Sequence, residues 1–283
     1  ISARSGVIEN GGVSKVTVTD IADASEGVAL NTYSANVEFD VEDTADAIAA
    51  NATNLGKADE VFVESGGADV TVAQAESIQN LSGYDAGGSE FNITDNSAAI
   101  ISATDSVLTD GNIHVDVDNT VNASDGAILN AFTADIDFTV SDDAADIAAE
   151  VMGASNAATD LDDAEAVIVE SGAAVDVDQA AAIQGISGYV GTMSDIDISD
   201  DAAALISAGD AVLNAEGVDY IRVNGFGTDG YSVNASDGAI LNSFSADIDF
   251  DVEEPMLLKE QLAEEWGKTT VVPISNFNTL QLR

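Results

Sequence analysis

Nine residues, Asn122-Ala123-Ser124-Asp125-Gly126-Ala127-Ile128-Leu129-Asn130, recur without change over positions 234–242. A looser copy occupies positions 23–31. Each copy leads into the same kind of alternating segment, at 35–41, 134–140 and 246–252. A chain that repeats itself must give each copy the same surroundings. A unit too small to bury its own apolar face meets that demand by packing on its neighbours. This constrains the fold more than any other property of the chain.

The copies can be placed in register. Asp43 answers to Asp142, Gln74 to Gln179, Asp95 to Asp200 and Ser124 to Ser236. The long period is therefore about a hundred residues. Its best-matched part is 72–84 against 177–189. A shorter unit lies inside it. Asp43, Asp95, Asp142 and Asp200 each follow an apolar strand-like run and open an Ala-rich segment. One strand and one helical stretch then fill about 25 residues, within the range of stacked repeats. The expected division is 1–12 as a linker or incomplete unit, 13–111 as a first repeat, 112–217 as a second, 218–255 as a partial third, and 256–283 as a distinct cap or docking segment.

Periodicity supplies the element types. Ala144, Ile147, Ala148 and Val151 fall at helical spacing, as do Ala45, Ile48, Ala49 and Ala52, and a similar stripe joins Leu205, Ala208 and Val212. The aspartate before each stretch is read as the N-cap of its own helix, because a carboxylate accepts orphan backbone N–H groups. Asp135-Ile136-Asp137-Phe138 and Asp195-Ile196-Asp197-Ile198 alternate as strands do. About ten strands are expected, near Val18, Phe39, Val63, Ile93, Val115, Phe138, Val169, Ile198, Ile221 and Phe250. Strand and helix in alternation imply parallel strands joined by crossovers. The expected fold is α/β, a repeat solenoid of short parallel strands alternating with Ala-rich helical segments. The alternative is a tandem array of β-sandwich domains; with only two prolines in the chain, its turns are poorly supplied. Within the repeated phrase, Ser-Asp-Gly is expected to shape a turn and Ile-Leu to fill the core.

The chain has 283 residues and a hydrophobic fraction of 46%, too apolar for a disordered acidic tail. Its formal charge is −45, from 52 acids and 7 bases. Such a field repels nucleic acid and anionic lipid and favours cations, salt or basic partners. The absence of cysteine excludes disulfides, thiolate metal sites and cysteine nucleophiles. It fits a protein carried outside a bacterium or on a virion. No apolar run is long enough for a membrane-spanning helix. The sequence shows neither an initiator methionine nor a signal-peptide pattern, so the chain is expected to be a processed product or a piece of a longer protein. Positions 257–266, ending in the single tryptophan, Trp266, read as an amphipathic helix, and 269–274 as a strand.

The candidate metal ligands are Asp135, Asp137, Asp195, Asp197, Asp247 and Asp249. Parallel rungs lie about 4.8 Å apart, so stacked carboxylates repel unless a cation neutralises them. Calcium, with six to eight oxygen ligands, is the cofactor this pattern points to. The competing reading is that these acids solvate a surface and cap helices. The chain carries neither an EF-hand loop nor the glycine-rich calcium nonapeptide. Gly225-Phe226-Gly227-Thr228-Asp229-Gly230 spells G-x-G-x-x-G, but the repeat phrase resumes after it where a helix should open, so it is read as an inserted loop. The single histidine, His114, sits in an alternating run and is placed on the solvated face. Without a nucleophile elbow, no catalytic residue is assigned. Asn31, Asn130 and Asn242, which close the phrase, are read as structural. The sequons at Asn51, Asn92, Asn122 and Asn234 follow the repeat.

The phrase Val41-Glu42-Asp43-Thr44-Ala45-Asp46-Ala47-Ile48-Ala49-Ala50, with the segment around Gln74, resembles Ala/Asp-rich repeats of very large bacterial surface proteins, S-layer-like or adhesin-like, and of marine phage structural proteins. The likeness covers about residues 13–254 and not the tail. It implies a structural or adhesive role outside the cell or on a virion, and no catalytic residues. The expected function is a structural repeat protein of a fibre, sheath, layer or stalk. The alternatives are a calcium-dependent adhesion module and, third, an enzyme built on a parallel sheet. Self-association within a larger assembly is the expected partnership, with a basic protein or a surface glycan as further candidates.

Overall fold

The structure is a computed structural model that describes residues 14–153, 161–224 and 232–252. Fourteen short strands and eleven α-helices alternate in it, giving a mixed α/β chain. The strands are β1 (Val16–Thr17), β2 (Val37–Glu38), β3 (Val41–Asp43), β4 (Val61–Val63), β5 (Glu90–Asp95), β6 (Asn112–Val117), β7 (Ile136–Asp137), β8 (Thr139–Asp143), β9 (Ala166–Glu170), β10 (Ile196–Asp200), β11 (Val218–Val223), β12 (Ser232–Val233), β13 (Ile248–Asp249) and β14 (Asp251–Val252). The helices are α1 (Ala24–Asn31), α2 (Ala45–Asn51), α3 (Val72–Gln79), α4 (Ser97–Ser102), α5 (Asp105–Thr109), α6 (Ala123–Asn130), α7 (Ala144–Gly153), α8 (Val177–Gln184), α9 (Ala202–Ala208), α10 (Asp210–Leu213) and α11 (Ala235–Leu241).

Every strand pair among the described residues is parallel. Parallel neighbours cannot be joined by a hairpin, and the intervening helices provide the crossovers. The β-sandwich alternative requires antiparallel pairs and is not what the chain forms. No sheet closes into a barrel among these residues. Register links the strands into ladders of apolar residues. Ala22, Val41, Val61 and Tyr84 form one ladder. Val70, Ile93, Val115 and Ile136 form the next. Val121, Val140, Val167 and Tyr189 follow, then Val175, Ile198, Ile221 and Ile248. Val16–Val37 and Val233–Val252 make two shorter ladders at the ends. The sheets containing β6 and β11 hydrogen-bond across positions 111/112 and 217/218, where the sequence period restarts.

Each complete ladder takes two rungs from segments just ahead of a helix and two from segments just after one. The change occurs inside a run that reads as a single strand. β2 and β3 are halves of one alternating run, as are β7 and β8, and β13 and β14. The halves pair into different ladders. At the break the phenylalanine turns inward: Phe39 is 1% exposed and Phe138 2%. The helices pack in sequence, α1 on α2, α2 on α3, α3 on α5, α4 on α6, α6 on α7, α7 on α8, α8 on α9 and α10, and α9 on α11. One apolar cluster runs from Ala22 to Leu241. The helical stripe at Ala144, Ile147 and Ala148 lies in it, as do Ala45 and Ile48. The stripe through Leu205 and Val212 spans two helices, parted at Gly209, whose φ of 67° places it in the left-handed region.

The repeated phrase folds differently from the sequence reading. Residues 123–130 are helix throughout, with Asn122 accepting the Asp125 N–H at 2.8 Å as N-cap. Ser-Asp-Gly is the first part of that helix and makes no turn. Leu129 is buried, but Ile128 is 44% exposed. The glycine is present for closeness. A Cβ on Gly126 would stand 2.8 Å from Val140 Cγ2 and 3.0 Å from Leu161 Cδ2. On Gly27 it would stand 2.8 Å from Val41 Cγ2 and 2.9 Å from Leu55 Cδ2. The helix approaches the next strand so closely that only hydrogen fits there, at the cost of helix propensity.

Candidate functional site

The aspartates that mark the short period do not cap their own helices. Asp43 Oδ2 accepts the N–H of Ala24 at 3.0 Å, Asp95 that of Val72 at 3.1 Å, Asp142 that of Ala123 at 2.9 Å and Asp200 that of Val177 at 3.1 Å. Each of these donors is the first residue of the helix belonging to the preceding rung. The other oxygen, Oδ1, accepts the N–H of the following residue, from Thr44, Asn96, Asp143 and Asp201. Asn119 serves Ser97 in the same way at 2.9 Å. The physical reason is the parallel pairing of the strands. A strand end one rung on brings its carboxylate beside the positive end of the earlier helix, whose first N–H has no partner within the helix. The helix's own cap is the next residue along, as with Asn96, which accepts from Ala99, and Asp201, which accepts from Ala204.

Other ties recur with the repeat. Gln74 and Gln179 complete capping boxes with Thr71 and Asp176. The Thr-x-x-Gln and Asp-x-x-Gln spacing was a usable signal for these. Asn31 Oδ1 accepts the Lys57 N–H, and Asn130 Oδ1 accepts the Asp163 N–H. Gln79 and Gln184 donate to the carbonyls of Val107 and Val212. Tyr189 donates its hydroxyl to the Glu216 carbonyl at 2.8 Å, beside Gly217 at φ 92°. The Tyr84 hydroxyl is buried with no partner in hydrogen-bond geometry, although the Ser89 side chain stands near enough to offset burial in part. Burial, and then the charge of Asp110, pushes that phenol up to about 12.

Of the six candidate metal ligands, the structure gathers three into clusters. Asp137 meets His114 and Asp116 across β6 and β7, where Asp116 and Asp137 are register partners. His114 Nε2 lies 3.2 Å from Asp137 Oδ2 and 3.4 Å from Asp116 Oδ1. The histidine side chain is 45% exposed, on the solvated face expected for it. Asp195 and Asp197 meet Asp219, with one oxygen of each within 4.8 Å of the others. Burial, then the charges of Asp195 and Asp219, raises the Asp197 carboxyl above its ordinary value, against the opposing pull of Arg222. Asp249 accepts the Tyr220 hydroxyl instead, and the Arg222 guanidinium stands 5.2 Å from the centre of that ring. Asp135 and Asp247 are exposed and join neither cluster. A third group, Asp142, Asp143 and Asp146, was not among the candidates. The Asp142 and Asp143 carboxylates already accept backbone N–H groups, that of Asp146 among them, so helix capping accounts for these two.

Two hollows mark the described surface. One of about 140 Å³ is lined by residues of the 64–68 loop with Glu90, Phe91 and Asn92. A wider, open one of about 430 Å³ lies between Gly191–Asp195 and Glu216–Asp219, with Asp195 and Asp219 on its rim. The Gly225–Gly230 motif and the 256–283 segment lie outside the described residues. No helix among the described residues is long and apolar enough to cross a membrane. Searches against protein-family models, curated proteins and solved structures find no match to this chain.

Proposed function

We propose that the chain is a structural repeat segment, a solenoid in which each strand–helix unit stacks on the one before, built for an extracellular or virion-surface assembly. The observation that carries this reading is the cross-rung aspartate. At four positions a carboxylate of one unit caps the helix of the preceding unit through Oδ2, while its Oδ1 holds the N–H of the residue that follows it. The chain repeats a device that joins units, as a nearest-neighbour array requires. The continuous apolar cluster and the parallel register support the same reading. The resemblance to Ala/Asp-rich surface and phage repeats supports a role outside the cell and without catalysis. The charge of −45 fits a surface meant for salt or for cations. Electron microscopy of the purified protein across a salt series tests it. Ordered fibres, sheets or sheath fragments are expected; a compact, dispersed monomer with a deep cleft at every salt concentration would sink the proposal.

A second reading rests on Asp195, Asp197 and Asp219, an all-oxygen group within the span of one ion. Calcium bound there would draw its remaining ligands from water and would offset the burial and the repulsion that together raise Asp197. Thermal melts with calcium and with chelator, at fixed ionic strength, decide this. An unchanged midpoint removes the calcium reading.

A further inference from the structure

We propose that the end face formed by Phe250, Val252 and Gly238 is a docking surface, and that its occupant is this chain's own segment 257–274, laid on it as one more unit. The proposal rests on the stacked-unit reading above. Its ground is a comparison of three equivalent places. Val41 and Val140 are 0% exposed, whereas Val252, their counterpart, is 50% exposed. Phe39 and Phe138 are buried, and Phe250 is only partly so. Above Gly27 and Gly126 the helix is met by a valine of the next strand and by Leu55 or Leu161 from the unit after it. Above Gly238 the valine recurs, but the other near atoms come from Phe250 and Val233. The face that later units cover twice inside the chain is thus presented a third time at Val252.

The sequence that follows fits this face. Trp266 comes after Val252 at the same spacing as Leu55 after Val41. The amphipathic run 257–266 precedes it as the Ala45–Asn51 helix precedes Leu55. Val272 then falls where Val61, the next rung, follows Val41. Pro273 suits a last strand, since it lacks a donor for any rung beyond. Assembly of the proposed structural protein would then proceed by faces other than this one.

Trp266 is the single tryptophan of the chain, so its fluorescence reports this contact alone. The expected result is emission blue-shifted from that of the urea-unfolded chain and protected from acrylamide, equally at low and high protein concentration. Val252→Asp should remove the protection and shift the emission to the red, with far-UV circular dichroism retained. Water-like emission, quenched as freely in the native as in the unfolded chain, overturns the proposal. Protection that appears only as concentration rises assigns the face to a second copy and overturns it too. Loss of the folded circular dichroism signal in the unsubstituted protein would instead strike the stacked-unit reading, so the two failures are distinguishable. Should Val252→Asp fail to fold, Trp266→Ala gives a second arm. It must quicken amide exchange in 235–252 while leaving 24–51 unchanged, and no change in 235–252 refutes the contact.

Discussion

Gly126→Ala puts the close approach of helix to strand to a test. In an exposed helix interior this change stabilises by about 1 kcal/mol, because alanine loses less backbone freedom than glycine. Here the added methyl would stand 2.8 Å from Val140 Cγ2, 3.0 Å from Leu161 Cδ2 and 3.5 Å from Phe138 Cε2. All three neighbours are almost wholly buried, so none can swing into solvent. Overpacking of a tight core costs about 1–3 kcal/mol, which outweighs the propensity gain. The expected net effect is a loss of about 1 kcal/mol. Urea unfolding followed by circular dichroism at fixed salt measures it, with unchanged m values as the check that one transition is being compared. Ala127→Gly, one residue on in the same helix, isolates the propensity term and should cost about 1 kcal/mol. Leu161→Ala should restore room, so that Gly126→Ala is better tolerated in that background than in the natural one. If Gly126→Ala stabilises by as much as Ala127→Gly destabilises, the close-approach explanation is wrong.

The cross-rung cap predicts that Asp142→Ala costs about 1–3 kcal/mol, since two backbone donors lose their acceptor, and that amide exchange quickens at Ala123, in the helix of the unit before; an unchanged unfolding midpoint refutes it. Tyr189→Phe should cost about 1 kcal/mol through its bond to Glu216, whereas Tyr84→Phe should be neutral or stabilising because that hydroxyl has no partner in hydrogen-bond geometry. Tyr84 also carries a pH dependence: the folded chain holds this proton up to about 12 against 10.0 when unperturbed, so its contribution is complete below the unfolded value and is lost as pH rises through the folded one. Screened at a half-buried site, that loss is about 1 kcal/mol, and titration of the melting midpoint should find it absent in Tyr84→Phe. Asp197→Asn should raise the melting midpoint at neutral pH in low salt, because it removes a carboxylate that burial, Asp195 and Asp219 disfavour; the gain should shrink as salt is added, and a salt-independent effect would count against the electrostatic cause.

Much of this protein is legible without coordinates. Alternation of Asp and Ile at 135–138 and 195–198, and the Ala/Ile spacing at 144–148, suffice to place strands and helices, because side-chain period follows directly from backbone geometry. Strand and helix in alternation suffice to imply the parallel pairing that the structure has. The candidate carboxylates were readable as a class, but which of them would meet was not. Asp137 joins His114 and Asp116 only because β6 and β7 pair in one register, and Asp219 reaches Asp195 and Asp197 only through the pairing of β10 with β11. The same limit applied to the caps. Asp43 stands in the sequence just before one helix, yet its carboxylate serves another, because the stacking of strands brings that helix end nearer than local order suggests. The clearest case is Asn-Ala-Ser-Asp-Gly-Ala-Ile-Leu-Asn. Local propensity reads Ser-Asp-Gly as a turn. The structure makes it the start of a helix capped by Asn122, and glycine stands there because the next strand lies too near for a side chain. Local order thus decided what each segment could become, and the distance between neighbouring units decided what each did become.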